Sequence, residues 1–307
     1  MLVYIFALAM GIYALIMIYS KEREIVFDKP EKLLIVAPHQ DDCVICAGGF
    51  GIANVRLGGE THIVFLSHES KEDLADIRRR EAEESWGLVG SCNLYHMDIL
   101  PQKCEKSYKK IYDTADRIQT LIDQIQPTML FIPLFEGGHV QHDITNYVIS
   151  YLVKKPNGLR IFECPEYSPY FSFIHTPHKV LGILSRFFLV FVSYFGPPEG
   201  LDRRTMFNLK MSDYELALKK KMLSTFRSQG GDSLVTRFGY PDRVIEWVEK
   251  PYKSSPFAYK YSLAYFLQLL RQTPLAWLVK RLFPWEYKSV GLTHGITDMN
   301  DELSNIS

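Results

Sequence analysis

The feature that most constrains this chain is a short apolar run that ends in polar residues with metal-binding chemistry. Residues 33–37 (LLIVA) have the pattern of a buried strand, and the next five residues include His39, Asp41 and Asp42. Two glycines at 48–49 then precede a helical pattern. Open α/β sheets place their chemistry at the carboxyl ends of strands, and histidine and aspartate suit a divalent metal such as zinc. Adjacent carboxylates can also divide the work, because one can bind a metal while the other serves as a general base.

The alternative for this stretch is a solvated turn in which an aspartate caps the following helix. A second cluster favours the metal site, because the apolar run 129–133 leads into a glycine-containing loop with His139 and His142. Two strand ends in one parallel sheet can bring His39, Asp42 and a distant histidine together. Three protein ligands with a fourth position open for water are typical of a catalytic zinc site rather than a structural one.

Strand and helix patterns alternate along the chain and predict a Rossmann-like α/β fold: a mostly parallel sheet with flanking helices and right-handed crossovers. The predicted strands are 32–37, 61–66, 129–133 and 160–164. The predicted helices are 46–57, 74–88, 109–126, 143–154 and 212–226. The last of these begins with a capping signal, Ser212 followed three residues later by Glu215.

The two polar clusters together resemble the PIG-L/LmbE-like de-N-acetylases, zinc hydrolases that remove acyl groups from N-acetylglucosamine-type amines. The first motif of that family, His-Pro-Asp-Asp-Glu after a strand with Gly-Gly at the next helix, is similar to residues 39–43 and 48–49. The second motif, His-x-x-His after a later strand, is similar to residues 139–142. Further similarities occur at residues 67–69, 78–90 and 219–229. The resemblance covers about residues 31–229 and implies a zinc cofactor and an N-acetylated amino-sugar substrate.

The chain departs from the family pattern at several positions. Gln40 and Cys43 replace the usual proline and glutamate, and neither is expected to ligate the metal. Gln141 stands where the second motif often has the aspartate that would orient His139. His68 replaces a glycine and is expected to reshape the substrate pocket. These changes bear on the substrate more than on the metal site.

The resemblance implies a chemical role for each matched residue of the two motifs. His39, Asp42 and His142 would hold Zn²⁺. Asp41 would be the general base that takes a proton from the metal-bound water. His139 would stabilise the oxyanion that develops on the acetamide, and either Asp41 or His139 would return a proton to the leaving amine.

The resemblance also implies a group of sugar-binding residues. Arg78 and Glu69 are the first candidates, and Asp98, which follows a strand pattern, is a further candidate for the same task. Without the family, a solvated helix face and loop would be the preferred interpretation of Arg78 and Glu69.

The N-terminus predicts a membrane anchor, because residues 2–19 carry no charge and no proline over a length that can cross a bilayer core as a helix. A signal peptide would need a basic start and a small-x-small cleavage site, and this stretch has neither. Lys21 and Arg23 follow the apolar run, which predicts a cytoplasmic catalytic domain. Five cysteines without a disulfide-scaffold spacing fit a reducing compartment.

Two later segments also favour contact with a membrane. Residues 180–195 are apolar and aromatic, which fits an interfacial helix, a lid over the active site or a buried core helix. Residues 252–288 interleave basic and aromatic residues, which suits an anionic membrane surface, although a helix packed on the core with its bases in water would have the same pattern. The predicted division of the chain is an anchor (1–20), a deacetylase domain (30–230), a membrane-associating tail (231–296) and a disordered end (297–307).

Composition limits the remaining classes of function. With 307 residues the chain can bury one good core and add a tail. Its 35 basic and 35 acidic residues balance, which argues against a general polyanion binder and against nucleic acid as a partner. We therefore predict a membrane-anchored, zinc-dependent N-deacetylase acting on an N-acetylated amino sugar, with a lipid-linked substrate as a hypothesis. A zinc amidase of another small acylated amine and a non-catalytic membrane scaffold are the alternatives.

Overall fold

The computed structural model describes residues 22–69, 71–101, 108–134, 140–166 and 206–248. The predicted anchor (1–20), the apolar segment 180–195 and the basic, aromatic segment 252–288 lie outside the described residues, as does His139. Within the part of the chain that is described, no helix is long and apolar enough to cross a membrane.

The described residues form an eight-stranded, mostly parallel sheet in the order β1-β7-β8-β6-β5-β2-β3-β4. Its strands are β1 (Glu22–Ile25), β2 (Lys32–Ala37), β3 (Glu60–His68), β4 (Asn93–Pro101), β5 (Met129–Pro133), β6 (Arg160–Cys164), β7 (Met206–Leu209) and β8 (Arg243–Glu246). β8 runs antiparallel to both of its neighbours, and the other pairs are parallel.

Helices cover both faces of this sheet. They are α1 (Asp42–Arg56), α2 (Glu72–Gly87), α3 (Tyr108–Ile125), α4 (Val140–Tyr147), α5 (Asp213–Thr225) and α6 (Asp232–Phe238). A π-helical turn, Val148–Leu152, continues α4, and a 3₁₀ turn, Arg227–Gln229, follows α5. The predicted α/β fold with a mostly parallel sheet and flanking helices is confirmed.

Two hydrophobic cores form because the central strands bury both faces, as parallel strands between helix layers do. In β2, Leu33, Ile35 and Ala37 pack into one core with residues of α1, α2, α5 and α6. Leu34 and Val36 point to the opposite face and pack into the other core with residues of α3 and α4. Full burial of one such leucine or isoleucine contributes about 1.5–3 kcal/mol. This two-sided burial explains why an unbroken apolar run, rather than an alternating pattern, marks the strand.

The order of the strands sets the position of the site. From β2 the chain adds β3 and β4 on one side of the sheet, and then crosses to add β5 and β6 on the other side of β2. The direction of winding therefore reverses between β2 and β5, and ligands of open α/β sheets bind at the carboxyl ends of strands at such a point. His39 and Asp42 follow β2 and His142 follows β5, so both predicted clusters lie at this switch point.

The start of α1 is bent at Ala47, where φ is −142° and ψ is 24°. Asp242 stabilises the bend, because its Oδ2 accepts a hydrogen bond from the Phe50 backbone N–H at 2.9 Å. Its Oδ1 lies 2.5 Å from the Nζ of Lys219, and both side chains of this ion pair are fully buried. A Cβ at Gly49 would lie 2.9 Å from Asp242 Oδ2, so this close approach requires a glycine. The close approach of Asp242 thus gives a structural reason for a glycine at position 49.

The sheet continues beyond residue 230, where the sequence analysis placed the start of the tail. α6 and β8 lie between residues 232 and 246. β8 pairs with β6 and β7. Val244 and Ile245 of β8 are buried in the sheet layer, and Leu234 and Phe238 of α6 join the first core. The predicted boundary at 230 therefore does not coincide with an edge of the sheet.

Candidate metal centre

Three predicted ligands meet at the carboxyl edge of the sheet, and Asp42 lies at the centre of the group. Asp42 Oδ2 lies 2.9 Å from His39 Nδ1 and 3.1 Å from His142 Nε2. The same oxygen accepts a hydrogen bond from the His39 backbone N–H at 2.8 Å, which fixes the carboxylate against the turn after β2. The side chains of Asp42 and His142 are almost completely buried, and that of His39 is 17% exposed. His39 is therefore the only one of these three side chains with appreciable exposure.

The donor set fits a zinc ion. One ligand atom from each of His39, Asp42 and His142 lies within 4.8 Å of the others. Zinc holds imidazole nitrogens and carboxylate oxygens at about 2.0–2.2 Å, so two donors of one tetrahedral site lie roughly 3.3 Å apart. The observed separations of 2.9 and 3.1 Å are close to that value. Two imidazoles and one carboxylate are also a ligand set found at catalytic zinc sites with an open position.

Opposite charges stabilise the ionised form of Asp42 in this buried setting. Burial alone raises the pKa of Asp42, but the neighbouring His142 and His39 outweigh it and hold that pKa well below its usual range. Burial lowers the pKa of His39, but Asp42 more than offsets this and the pKa of His39 is raised. For His142 burial dominates, and its pKa is lowered. A metal ligand must be deprotonated, and the lowered pKa values of Asp42 and His142 both favour the deprotonated form.

The Asp41 side chain does not cap the helix that follows it. It precedes α1 at the N-cap position, but its side chain makes no capping hydrogen bond. Burial, and then the negative charge of Asp42, raise the pKa of Asp41 to about 7, against lowering contributions from His39 and Arg78. The capping alternative is therefore not realised by the Asp41 side chain.

The structure brings two of the three predicted sugar-binding residues together. Arg78 Nη1 lies 3.0 Å from Glu69 Oε2, and both side chains are largely buried. Arg78 also lowers the pKa of Asp41, so its charge acts on the same site. Asp98 forms a separate ion pair, because its Oδ2 accepts a hydrogen bond from Arg79 Nη2 at 2.6 Å. Asp98 lies in a bulge of β4 and has a φ of 51°, in the left-handed region.

Two buried residues behind the ligands were not assigned a role by the sequence analysis. Gln141 Oε1 lies 2.7 Å from His39 Nε2, although the sequence analysis considered this residue only as a partner of His139. Glu166 Oε2 lies 3.6 Å from His142 Nδ1, and Glu166 Oε1 accepts a hydrogen bond from the Cys46 thiol at 2.6 Å. Burial, and then the charge of Asp42, raise the pKa of Glu166 well above its usual range.

A positional signal for Glu166 was present in the sequence. The residue follows the end of β6, the strand next to β5, by two positions. The rule that places chemistry at the carboxyl ends of parallel strands therefore applies to it as it does to His39. Gln141 offered no comparable signal, because an amide between two histidines is also common on a solvated loop. The position of His139, which lies outside the described residues, stays a prediction.

Comparison with known families agrees with this geometry. Residues 34–153 match the sequence model of the PIG-L family, which is described as GlcNAc-PI de-N-acetylase. This confirms the family resemblance found in the sequence, and the matched range contains all eight predicted site residues.

Two solved structures with a similar fold are deacetylases. The zinc-inhibited form of teicoplanin deacetylase Orf2 aligns with a TM-score of 0.53 and 14% identity, covering 72% of this chain and 99% of that one. The A40926 pseudoaglycone deacetylase Dbv21 aligns with a TM-score of 0.54 and 14% identity, covering 74% and 100%. At this identity the alignments establish the fold alone. No curated protein sequence matches the chain.

Proposed function

We propose that this protein is a zinc-dependent N-deacetylase that hydrolyses the N-acetyl group of an N-acetylglucosamine-type sugar. The observation that carries the proposal is the meeting of His39, Asp42 and His142 at the switch point of a PIG-L domain, with Asp41 beside them. The family description names an N-acetylglucosamine glycolipid as the substrate of its de-N-acetylases. The two deacetylases with a similar fold support the same class of reaction.

Different residues of the chain are proposed to carry out different steps of the reaction. A zinc ion bound by His39, Asp42 and His142 would supply Lewis acidity and a water of lowered pKa. Asp41 would be the general base that accepts a proton from the water that attacks the acetamide carbonyl carbon. The same proton then passes to the amine nitrogen as the C–N bond breaks, which leaves acetate and a free amino sugar. His139, following its matched motif position, would donate a hydrogen bond to the oxyanion.

Arg78 and Glu69 are proposed to bind the sugar. A guanidinium and a carboxylate side by side offer donors and acceptors that match vicinal hydroxyl groups. Their pairing at 3.0 Å holds both groups in place before a sugar arrives. We include Asp98 among the proposed sugar-binding residues because it pairs with Arg79, the neighbour of Arg78 on α2.

Metal content and acetate release, measured together, test the proposed reaction. Wild type and Asp41→Asn should bind the same amount of zinc, and Asp41→Asn should release acetate from an N-acetylglucosaminide about 10²–10⁴-fold more slowly. Asp113→Asn, an exposed aspartate on α3, is the matched control and should behave as wild type. Zinc binding without acetate release by wild type would reject this substrate, and a folded wild type without zinc would reject the site.

We further propose that the sugar is linked to a lipid and that the protein acts at a membrane, with its catalytic domain on the cytoplasmic side. Support comes from the uncharged run 2–19, from the basic and aromatic segment 252–288, and from the glycolipid named in the family description. Detergent-solubilised protein should therefore deacetylate a lipid-linked N-acetylglucosaminide faster than the free sugar. Equal rates on the two would contradict the lipid preference, and activity only on other acylated amines would favour the amidase alternative.

A further inference from the structure

We propose that Gln141 is a positioning residue of the metal centre. Its side-chain amide links His39 to the backbone carbonyl of Leu100 and thereby decides which ring nitrogen of His39 is available to a metal. The inference rests on the proposed metal site, and concerns a position where the family often has an aspartate.

The carbonyl of Leu100 fixes the orientation of the amide. A backbone carbonyl oxygen can only accept a hydrogen bond. The Gln141 Nε2 donates to Leu100 O at 2.9 Å, so the amide oxygen must point the other way. That oxygen, Oε1, lies 2.7 Å from His39 Nε2. Because an amide oxygen is also only an acceptor, the hydrogen between these two atoms belongs to His39 Nε2.

The position of this hydrogen leaves Nδ1 as the metal-binding nitrogen of His39. Nδ1 faces the cluster, 2.9 Å from Asp42 Oδ2. Metal-ligating histidines almost always donate their other ring N–H to an acceptor that sets the tautomer and the ring orientation. Gln141 provides that acceptor, and the amide is held at its far end by a strand of the sheet rather than by solvent.

A glutamine at this position can donate a hydrogen bond to Leu100 O, which an ionised acidic residue cannot do. Aspartate or glutamate could accept the hydrogen from His39, but a carboxylate could not donate to Leu100 O and would repel it. The neutral amide also adds no negative charge beside Asp41 and Asp42. Gln141 is 2% exposed and directly precedes His142 on α4, so one helix turn provides a metal ligand and the support for the opposite imidazole.

Zinc affinity of two variants provides the first test, measured by competition with a chromophoric chelator on the full-length chain in detergent. Gln141→Met has nearly the same length but neither accepts from His39 nor donates to Leu100, and should bind zinc about 10–100-fold more weakly. Gln141→Glu keeps the acceptor and should lose less affinity. Gln124→Met, on the exposed face of α3, is the control for the same substitution and should keep wild-type affinity. A Gln141→Met affinity equal to that of wild type would overturn the inference.

The ring proton of His39 provides a second readout that a general loss of stability would not imitate. In ¹⁵N-histidine-labelled protein the His39 Nε2–H should give a hydrogen-bonded, downfield proton signal in wild type and lose it in Gln141→Met. An unchanged signal in that variant overturns the inference whether or not zinc binds. If wild type binds no zinc but shows the Gln141-dependent signal, the proposed metal site fails while the link between Gln141 and His39 holds.

Discussion

At the scale of single residues, the raised pKa that suits Asp41 to act as a general base also lowers the stability of the folded protein. The pKa of Asp41 is raised from an ordinary value of 3.8 to about 7 in the folded protein. An acid whose pKa rises on folding destabilises the folded state once it ionises, because the unfolded chain gives up its proton more easily. In the metal-free protein this cost is absent below about pH 4 and grows until the pH passes about 7.

This argument predicts a pH-dependent gain in stability for Asp41→Asn. Removal of the ionisable group should raise the melting temperature of the metal-free protein at pH 8 and change it little at pH 4, where the wild-type carboxyl is protonated in both states. Thermal melts of wild type and variant at both pH values provide the measurement. Asp113→Asn should show no such dependence, and an equal gain at both pH values would mean that burial does not raise the pKa of Asp41.

The same scale shows what the sequence could and could not predict about the site. His39, Asp42 and His142 were predictable because each follows an apolar strand pattern in a motif with strong chemical meaning. The link between Gln141 and His39 was not, because it joins residues 102 positions apart through a carbonyl at the end of β4. Side-chain identity alone does not specify which ring nitrogen an amide will meet.

At the scale of elements, the buried ion pair between Lys219 and Asp242 connects α1 to α5 and to the segment before β8. Lys219 Nζ also donates to Tyr240 O at 3.0 Å, so two acceptors satisfy a charge that is completely buried. Asp242 in turn accepts a hydrogen bond from the Phe50 N–H, three residues after the bend at Ala47. The pair therefore maintains the path of α1, whose first turn carries Asp42.

We predict that Lys219→Met lowers the free energy of unfolding by about 3–5 kcal/mol, because it leaves the Asp242 carboxylate buried without its cation. The loss should shrink as the pH falls, since burial raises the pKa of Asp242 and protonation removes the unpaired charge. Chemical denaturation at pH 8 and pH 5 measures both effects. Lys220→Met, one residue away on the exposed face of α5, should lose less than about 1 kcal/mol. A similarly small loss for Lys219→Met would mean that the pair does not stabilise the bend.

Elements differed in how well local sequence predicted them. β2, β5 and β6 begin and end at the predicted residues. In β2 and β5 the reason is an apolar run, because burial on both faces of a strand favours apolar residues. α1 begins at Asp42 rather than at residue 46, because its first turn is joined to the rest of the helix by a bend at Ala47 that depends on distant Asp242. β1, β7 and β8 were not predicted, because each is only four residues long and forms by pairing with strands far away in sequence.

At the scale of the whole molecule, the metal centre joins the two halves of the sheet. His39 and Asp42 follow β2, from which β3 and β4 extend on one side. His142 follows β5, which continues to β6 on the other side, and Glu166 behind it follows β6. An ion that binds all three ligands would bind only the folded arrangement, because these residues are far apart in the unfolded chain. Metal binding should therefore stabilise the whole domain and not merely the loop around it.

We predict that zinc at a free concentration of about 100 times its dissociation constant stabilises the protein by about 2.7 kcal/mol, and that a chelator reverses the gain. In a domain of this size the melting temperature should rise by several degrees. Differential scanning calorimetry with and without zinc measures the shift. His142→Ala should melt at the same temperature in both conditions because one ligand is missing, whereas His62→Gln, which alters a histidine that stacks on Tyr95 instead, should keep the shift. A zinc-dependent shift that survives in His142→Ala would place the stabilising ion elsewhere on the molecule.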